Sequence, residues 1–420
     1  MKKTILICAA MALTASSFAQ KSNLRKIENI TYGVQNMNTL PAEKWVEIKE
    51  LVNEARNNPE TAEDHRTWDW IGRSALYDRQ IMLQEYQANG NKFKDLKAFF
   101  SNEEAIVSAF EKYYKLIQTP NEKGKLPLKE KDLEVQKQWA TANASACRTN
   151  LFVGATQFVY DDPQTAVKLL EAYLKTFDSP LFEGQDLKNT DKNYKEAPYV
   201  YATALKGING DKAKIEELLK QSLTSSNGPI ACQDLITLYK EKGDKANETK
   251  YLQYAFDNYP QINIFGINLA QEAINDKKYD ETIKICDEMI KRMKDGTTPT
   301  KDEAGNEQEN IWYPYYFKAV SLFNSEKYEE AYNAFVEGDE NCPGHIELVM
   351  GAGTAAAKFG NNNFSNKAVC KPWFEKAVKY LSKAEQNWPD QSDQWGYQLY
   401  ACYHNLENKV MEANYKKYAK

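Results

Sequence analysis

Residues 312–343 read WYPYYFKAVSLFNSEKYEEAYNAFVEGDENCP, and this stretch decides the fold class. Tyr315, Ala319 and Leu322 fall on one stripe of a first helix, and Tyr328, Ala331 and Phe335 on one stripe of a second. Spacings of three and four give a helix a single apolar face. Asn324 and Ser325 stand between the two as turn and cap, and Pro343 closes the unit. The pattern predicts a hairpin of two short helices, too small to fold alone, that must stack on neighbours of its own kind.

Such neighbours are present on both sides. A unit beginning at Pro229 places Leu235, Tyr239, Leu252, Ala255 and Pro260 at equivalent positions, and one beginning at Asn263 does the same with Leu269, Ala270, Tyr279, Cys286 and Met289. A hydrophilic insertion at 297–311 precedes the quoted stretch. After it, Val349, Ala352, Gly353 and Ala356 form the next first helix. Its partner is delayed by GNNNFSNKAVCK (360–371), then resumes in phase with Phe374, Ala377, Leu381, Ala384 and Pro389. A last pair, from Trp395 to about Ala419, reads as a C-terminal cap.

The N-terminal half carries the same period more loosely. Trp45, Ile48, Val52 and Ala55 mark a capping helix between Pro41 and Asn57. Trp68, Ile71, Gly72 and Ala75 open a helix running to about Tyr86. SNEE at 101–104 has the form of a capping box, so the partner helix is predicted to start at Ser101, with 87–100 as an insertion. NEKGKLPLKEK (121–131) is a polar connector before a long helical pattern from about Asp132 to Tyr160. Asp161-Asp162-Pro163 supplies a carboxylate cap and a first-turn proline for a helix carrying Ala166, Leu170 and Tyr173. Residues 178–195 read as a loop too polar and broken to pack. Tyr199, Ala202 and Leu205 then pair with Ile215, Leu218 and Leu219 across Gly210-Asp211.

Large, small and aromatic side chains at these offsets resemble the tetratricopeptide repeat, a helix–turn–helix unit of about 34 residues. The resemblance implies an all-α fold, a right-handed superhelical solenoid of helix pairs with loop insertions. It divides the chain into a signal peptide (1–20), an N-terminal segment and capping helix (21–60), divergent repeats (61–228), well-phased repeats (229–391) and C-terminal capping helices (392–420). Signal peptide, tyrosine richness and loop insertions together look like the exported repeat proteins of Bacteroidetes-type bacteria.

The leader itself is MKKTILICAAMALTASSFAQ: Lys2 and Lys3, an apolar run from Ile5 to Leu13, and a small-x-small site at Ser17-Phe18-Ala19. The run is far below the roughly 20 residues of a membrane span, and Cys8 lies inside it instead of at the cleavage point that a lipoprotein requires. Export to the periplasm or envelope is the expectation. A net charge of −5 without basic runs argues against nucleic acid as a partner. Of the cysteines, Cys147, Cys232 and Cys286 sit in helical patterns, whereas Cys370 and Cys402 are candidates for a disulfide between adjacent helices.

No catalytic or metal-binding constellation stands out. His65, His345 and His404 occur in no metal-ligand spacing, GAGTAAAK (351–358) is not a phosphate-binding loop, and Asp161-Asp162 reads as a cap. The expectation is no enzyme, no metal and no cofactor. In the repeat family the first helices line the concave, partner-binding face. Carried over, the positions are Gln233 and Thr237; Ile267 and Gln271; Tyr313, Tyr316, Val320 and Phe323; Met350; and Tyr400, flanked by Ile230, Ile264, Thr354 and Tyr403. The lysines and asparagines of the family's carboxylate clamp are missing there. The leading expectation is a protein- or peptide-binding scaffold. A glycan-binding module and a structural subunit of an outer-membrane complex are the alternatives.

Overall fold

The computed structural model describes residues 23–419; the expected signal peptide lies outside the described residues. The fold is all-α. Residues 23–31 form α1, followed by α2 (Ala42–Asn57), α3 (His65–Ala88), α4 (Leu96–Ile117), α5 (Glu130–Phe158) and α6 (Pro163–Lys175). A one-turn α7 (Leu187–Thr190) precedes α8 (Ala197–Gly207) and α9 (Lys212–Gln221). Then come α10 (Gly228–Lys242), α11 (Lys245–Asn258), α12 (Asn263–Asn275), α13 (Tyr279–Lys294), α14 (Tyr313–Asn324), α15 (Tyr328–Asn341), α16 (Ile346–Asn362), α17 (Lys367–Asn387), α18 (Ser392–Asn405) and α19 (Lys409–Tyr415). The chain divides into two compact units, up to Ala231 and from Cys232.

Within each unit, packing is between sequence neighbours. Most long helices pack chiefly on the preceding and following helix, and secondarily on the next but one: α4 on α6, α12 on α14, α14 on α16, α16 on α18. That is the connectivity of a helical-repeat solenoid, in which stability accrues repeat by repeat. The turn inside each pair is also repeated. Asn209, Gly243 and Lys277, thirty-four residues apart, all have positive φ (53°, 69° and 59°), as do Glu326 (61°) and Glu407 (57°). In each case the next amide reaches back to the carbonyl five residues before it: Gly210 to Leu205, Asp244 to Tyr239, Lys278 to Ala273, Lys327 to Leu322, Asn408 to Tyr403. This is the Schellman closure of a helix end. It, and not a side-chain cap, starts α15: Ser325 ends α14, bonding Ser321 O through its hydroxyl at 2.8 Å.

Small residues sit where helices touch. A Cβ on Gly72 would lie 2.6 Å from Phe110 Cε1, and one on Gly353 2.8 Å from Leu381. The glycines of GAGTAAAK are therefore packing positions in the middle of α16.

Four expectations need correction. α4 begins at Leu96, not Ser101, because Asp95 accepts from Ala98 N–H at 2.8 Å and the added turn buries Phe99 and Phe100. The 360–371 insertion is absorbed mainly as extra turns of α16 and α17, which bring Phe359 and Trp373 within 4.4 Å. Residues 178–195 are packed: Leu181 and Phe182 are buried, and Asp191 pairs with the buried Arg148 at 2.5 Å. Cys370 and Cys402 are buried free thiols, like the other four described cysteines. The 297–311 insertion is tied down by Thr298 Oγ1 donating to Pro260 O (2.5 Å) and Asn263 Nδ2 donating to Asn310 O (3.3 Å).

Candidate binding face

The first helices of the second unit are α10, α12, α14, α16 and α18. Each buries one stripe: Leu235 and Tyr239; Phe265 and Leu269; Tyr315, Ala319 and Leu322; Val349, Ala352 and Ala356; Trp395, Leu399 and Cys402. The helical period sends the remaining positions outward. Gln233, Thr237 and Gln271 are exposed, as are Ile230 and Ile264. Tyr313, Tyr316, Val320, Phe323, Thr354 and Tyr400 are half-buried, with Tyr316, Val320, Phe323 and Tyr400 packed on the apolar core. Ile267 (7% exposed), Met350 (8%) and Tyr403 (8%) are core residues and offer little to a ligand.

The first helices α16 and α18 meet through uncharged groups. Thr354 Oγ1 on α16 donates to Gln398 Oε1 on α18 (2.9 Å), and Asn405 Nδ2 donates to Asn361 Oδ1 (3.1 Å). At the start of α14, Trp312 stacks on Tyr313 (4.3 Å between ring centres) and on His345 (4.5 Å). Tyr397, exposed on α18, neighbours Tyr400, which stacks on His404. Burial, with help from Glu347, pushes the Tyr316 phenol above its ordinary range, so it stays a neutral hydrogen-bonding group.

Charge separates the two sets of helices. α12 carries one charged side chain, Glu272, and α14 one, Lys318; α16 carries Glu347 and Lys358 and α18 Asp393, whereas α10, with Asp234, Lys240, Glu241 and Lys242, is an exception. The second helices are dense with charge: α13 has Asp280, Glu281, Lys284, Asp287, Glu288, Lys291, Arg292 and Lys294, while α15 is acidic and α17 rich in lysine. Several of these charges link one second helix to the next, as in Lys294–Glu337 (2.8 Å) and Lys383–Asp339 (2.5 Å). From α12 to α18 the first helices thus present amides, hydroxyls and aromatic rings on a nearly neutral surface.

Asn268, Tyr397, Gln398 and the Asn361–Asn405 pair belong to this face but were not singled out by repeat position. Their place on helices that carry almost no charge was the signal available. His404 Nδ1 lies 2.9 Å from Glu412 Oε1, and His65 is held below its ordinary value by burial, which Asp64 and Asp69 only partly offset.

No protein-family model and no curated protein sequence matches this chain. Solved structures that align with it include Naa15/Naa10 bound to HypK-THB (14% identity, TM-score 0.28, covering 95% of this chain and 67% of that one). Yeast Tom70 aligns at 14% identity and TM-score 0.24 over 95% and 91% of the two chains. A circular tandem repeat protein aligns at 11% and 0.22 over 96% and 87%. At such identities and scores they carry no argument about this molecule.

Proposed function

We propose that the protein is a non-catalytic scaffold of the cell envelope that holds an extended segment of a partner protein along the first helices of its second unit. The carrying observation is the segregation of charge. A row of neutral amide, hydroxyl and aromatic side chains runs across α12, α14, α16 and α18, whose partner helices are charged. Such groups hydrogen-bond a peptide main chain and cover its side chains without paying heavily for desolvated charge. The envelope location rests on the leader-like residues 1–20 and on the Bacteroidetes-type resemblance. No described helix is long and apolar enough to cross a membrane.

The experiment is site-specific photo-crosslinking in the native host. A benzophenone side chain at Gln233, Gln271 or Tyr397 is expected to trap one and the same protein species. The same group at Lys284 or Lys371, exposed on the second helices, is expected to trap none of it. Equal trapping from both sets refutes the assigned face. Protection of the first set by polysaccharide, with no protein trapped, turns the reading towards a glycan.

A further inference from the structure

The first unit contains a cleft of about 490 Å³ bounded by α2, α3 and α5, a size suited to a small organic ligand. Its floor is one stripe of α3, where Arg73, Leu76, Tyr77, Gln80, Leu83, Gln84 and Gln87 recur at helical spacing.

Two arginines, Arg73 and Arg79, line it, and both are anchored from behind. Arg73 Nε donates to Asp69 Oδ1 and Oδ2 (3.1 and 3.0 Å); Arg79 Nε donates to Glu103 Oε1 (2.6 Å), a fully buried carboxylate that also accepts from Asn150 (2.8 Å). The Nη atoms of both have no hydrogen-bond partner among the described residues. Held at Nε, a guanidinium keeps its terminal nitrogens as a planar fork that fits an oxyanion. Among the described residues, no acidic side chain lines the cleft to compete for them.

The remaining lining matches a ligand with a flat, polar body. Trp45 and Tyr77 are stacked at 4.5 Å, and Trp139 lies against the Arg73 guanidinium at 4.2 Å, which fixes both. Gln80, Gln84 and Gln87 have no hydrogen-bond partner among the described residues, and Asn143 donates to Trp139 O (2.8 Å) and keeps its Oδ1. The Trp45 indole N–H is buried with no acceptor among the described residues. With Asp69 and Glu103 behind the arginines, the cluster has little net charge, which favours a singly charged anion over a phosphate dianion.

We propose that this cleft binds a small organic monocarboxylate, its carboxylate on Arg73 and Arg79, its body against the Tyr77 and Trp139 rings and its polar groups on the glutamine side chains. This site is separate from the face assigned to the protein partner, so failure of either leaves the other standing.

The test is calorimetric titration of the protein from Lys21 onward with three acids: N-acetyl-L-tyrosine, D-glucuronate and benzoate. Each is paired with a neutral counterpart (N-acetyl-L-tyrosinamide, D-glucose and benzamide), and inorganic phosphate serves as an anion without a body. At least one acid is expected to bind saturably, about tenfold or more tighter than its counterpart, as loss of charge-assisted hydrogen bonds implies. Because removing either arginine strands a carboxylate and endangers folding, the decisive variants are Gln80→Glu and Gln84→Glu, which add a negative charge to the cleft and leave both anchors intact. Each is expected to weaken the acid about tenfold with unchanged helical circular dichroism, while Lys284→Glu leaves binding unchanged. Saturable binding by none of the acids, equal binding of the neutral partners, phosphate binding as tightly as the acids, or no effect of Gln84→Glu overturns the assignment.

Discussion

Replacing Asp191 by asparagine probes what holds the 178–195 segment in place. Arg148 and Asp191 leave 4% and 7% of their side chains exposed, with Nη1 and Oδ2 2.5 Å apart. Tyr173 donates to the same oxygen at 2.7 Å, Asn193 N–H donates to the other at 2.9 Å, and Arg148 Nε donates to Thr176 at 2.6 Å. The guanidinium also lies 4.2 Å from the Phe177 ring centre. Charge centres about 4 Å apart, at an effective dielectric near 20, attract by about 4 kcal/mol. An amide has a single acceptor oxygen: turned to Tyr173 and Arg148 it keeps those two bonds and recovers about 1 kcal/mol of this, but it sets its NH2 against the Asn193 N–H and loses that bond. The expected loss for Asp191→Asn is therefore about 3 kcal/mol, the lower end of what breaking a buried pair costs. For a unit of roughly 200 residues, that lowers the Tm of its transition by about 6–12 °C. The assay is thermal unfolding combined with amide hydrogen exchange over 176–196, where protection should fall first. A loss under about 1 kcal/mol with unchanged exchange refutes the reasoning. Exchanging both partners, Arg148→Met with Asp191→Leu, should restore most of the stability, since no buried charge is then left unpaired.

The same pair makes a pH prediction. Burial pushes the Asp191 carboxyl up, but Tyr173, Arg148 and the Asn193 amide outweigh it and hold it below the ordinary 3.8. A depressed folded value means its contribution is complete above the unfolded value and is lost as pH falls through the folded one. The stability gap between wild type and Asp191→Asn should be constant near neutrality and close only below about pH 3.8; a gap that narrows near pH 6 contradicts the assignment. Gly72→Val should cost about 2–3 kcal/mol by overpacking, because its Cβ meets the fully buried Phe110 at 2.6 Å; denaturant unfolding that shows no loss rejects the close approach. Lys277→Gly should stabilise by about 0.5–1 kcal/mol, relieving a left-handed lysine in the turn between α12 and α13. Burial pushes the Cys232 and Cys402 thiols up to about 12 and Cys342 up to about 11. Ellman's reagent should therefore react slowly with the native protein and find six thiols from Lys21 onward after denaturation; four would mean that a disulfide forms, against the free thiols seen here.

Much of this molecule is a local statement, and local statements are legible in a sequence. The stripes of α10 to α19 follow from spacing alone, because a helix that buries one face must repeat apolar residues every three or four positions. The Asp162 cap is equally local, since Asp162 accepts from Thr165 N–H in the next turn. The face of the second unit was reached through repeat position, and the structure refines it by burying Ile267, Met350 and Tyr403. SNEE misled because a capping box needs only four residues. The true start at Asp95 is decided by where Phe99 and Phe100 find cover: Phe93 lies 4.3 Å from Phe99, and Phe158 lies 6.1 Å from Phe100.

By itself the sequence determined that the chain is a row of paired helices, because period, turn and small residue are written within each unit. Tertiary structure alone decided the packed state of 178–195, the free thiols at 370 and 402, and the cleft between α2, α3 and α5. Each of these joins residues from separate helices: Arg148 meets Asp191 across forty-three positions, and Trp45 shares a cleft with Trp139. A periodic pattern fixes which side of a helix is buried, but not which distant side chain arrives to cover it, and charge pairing and cavity shape depend on that arrival.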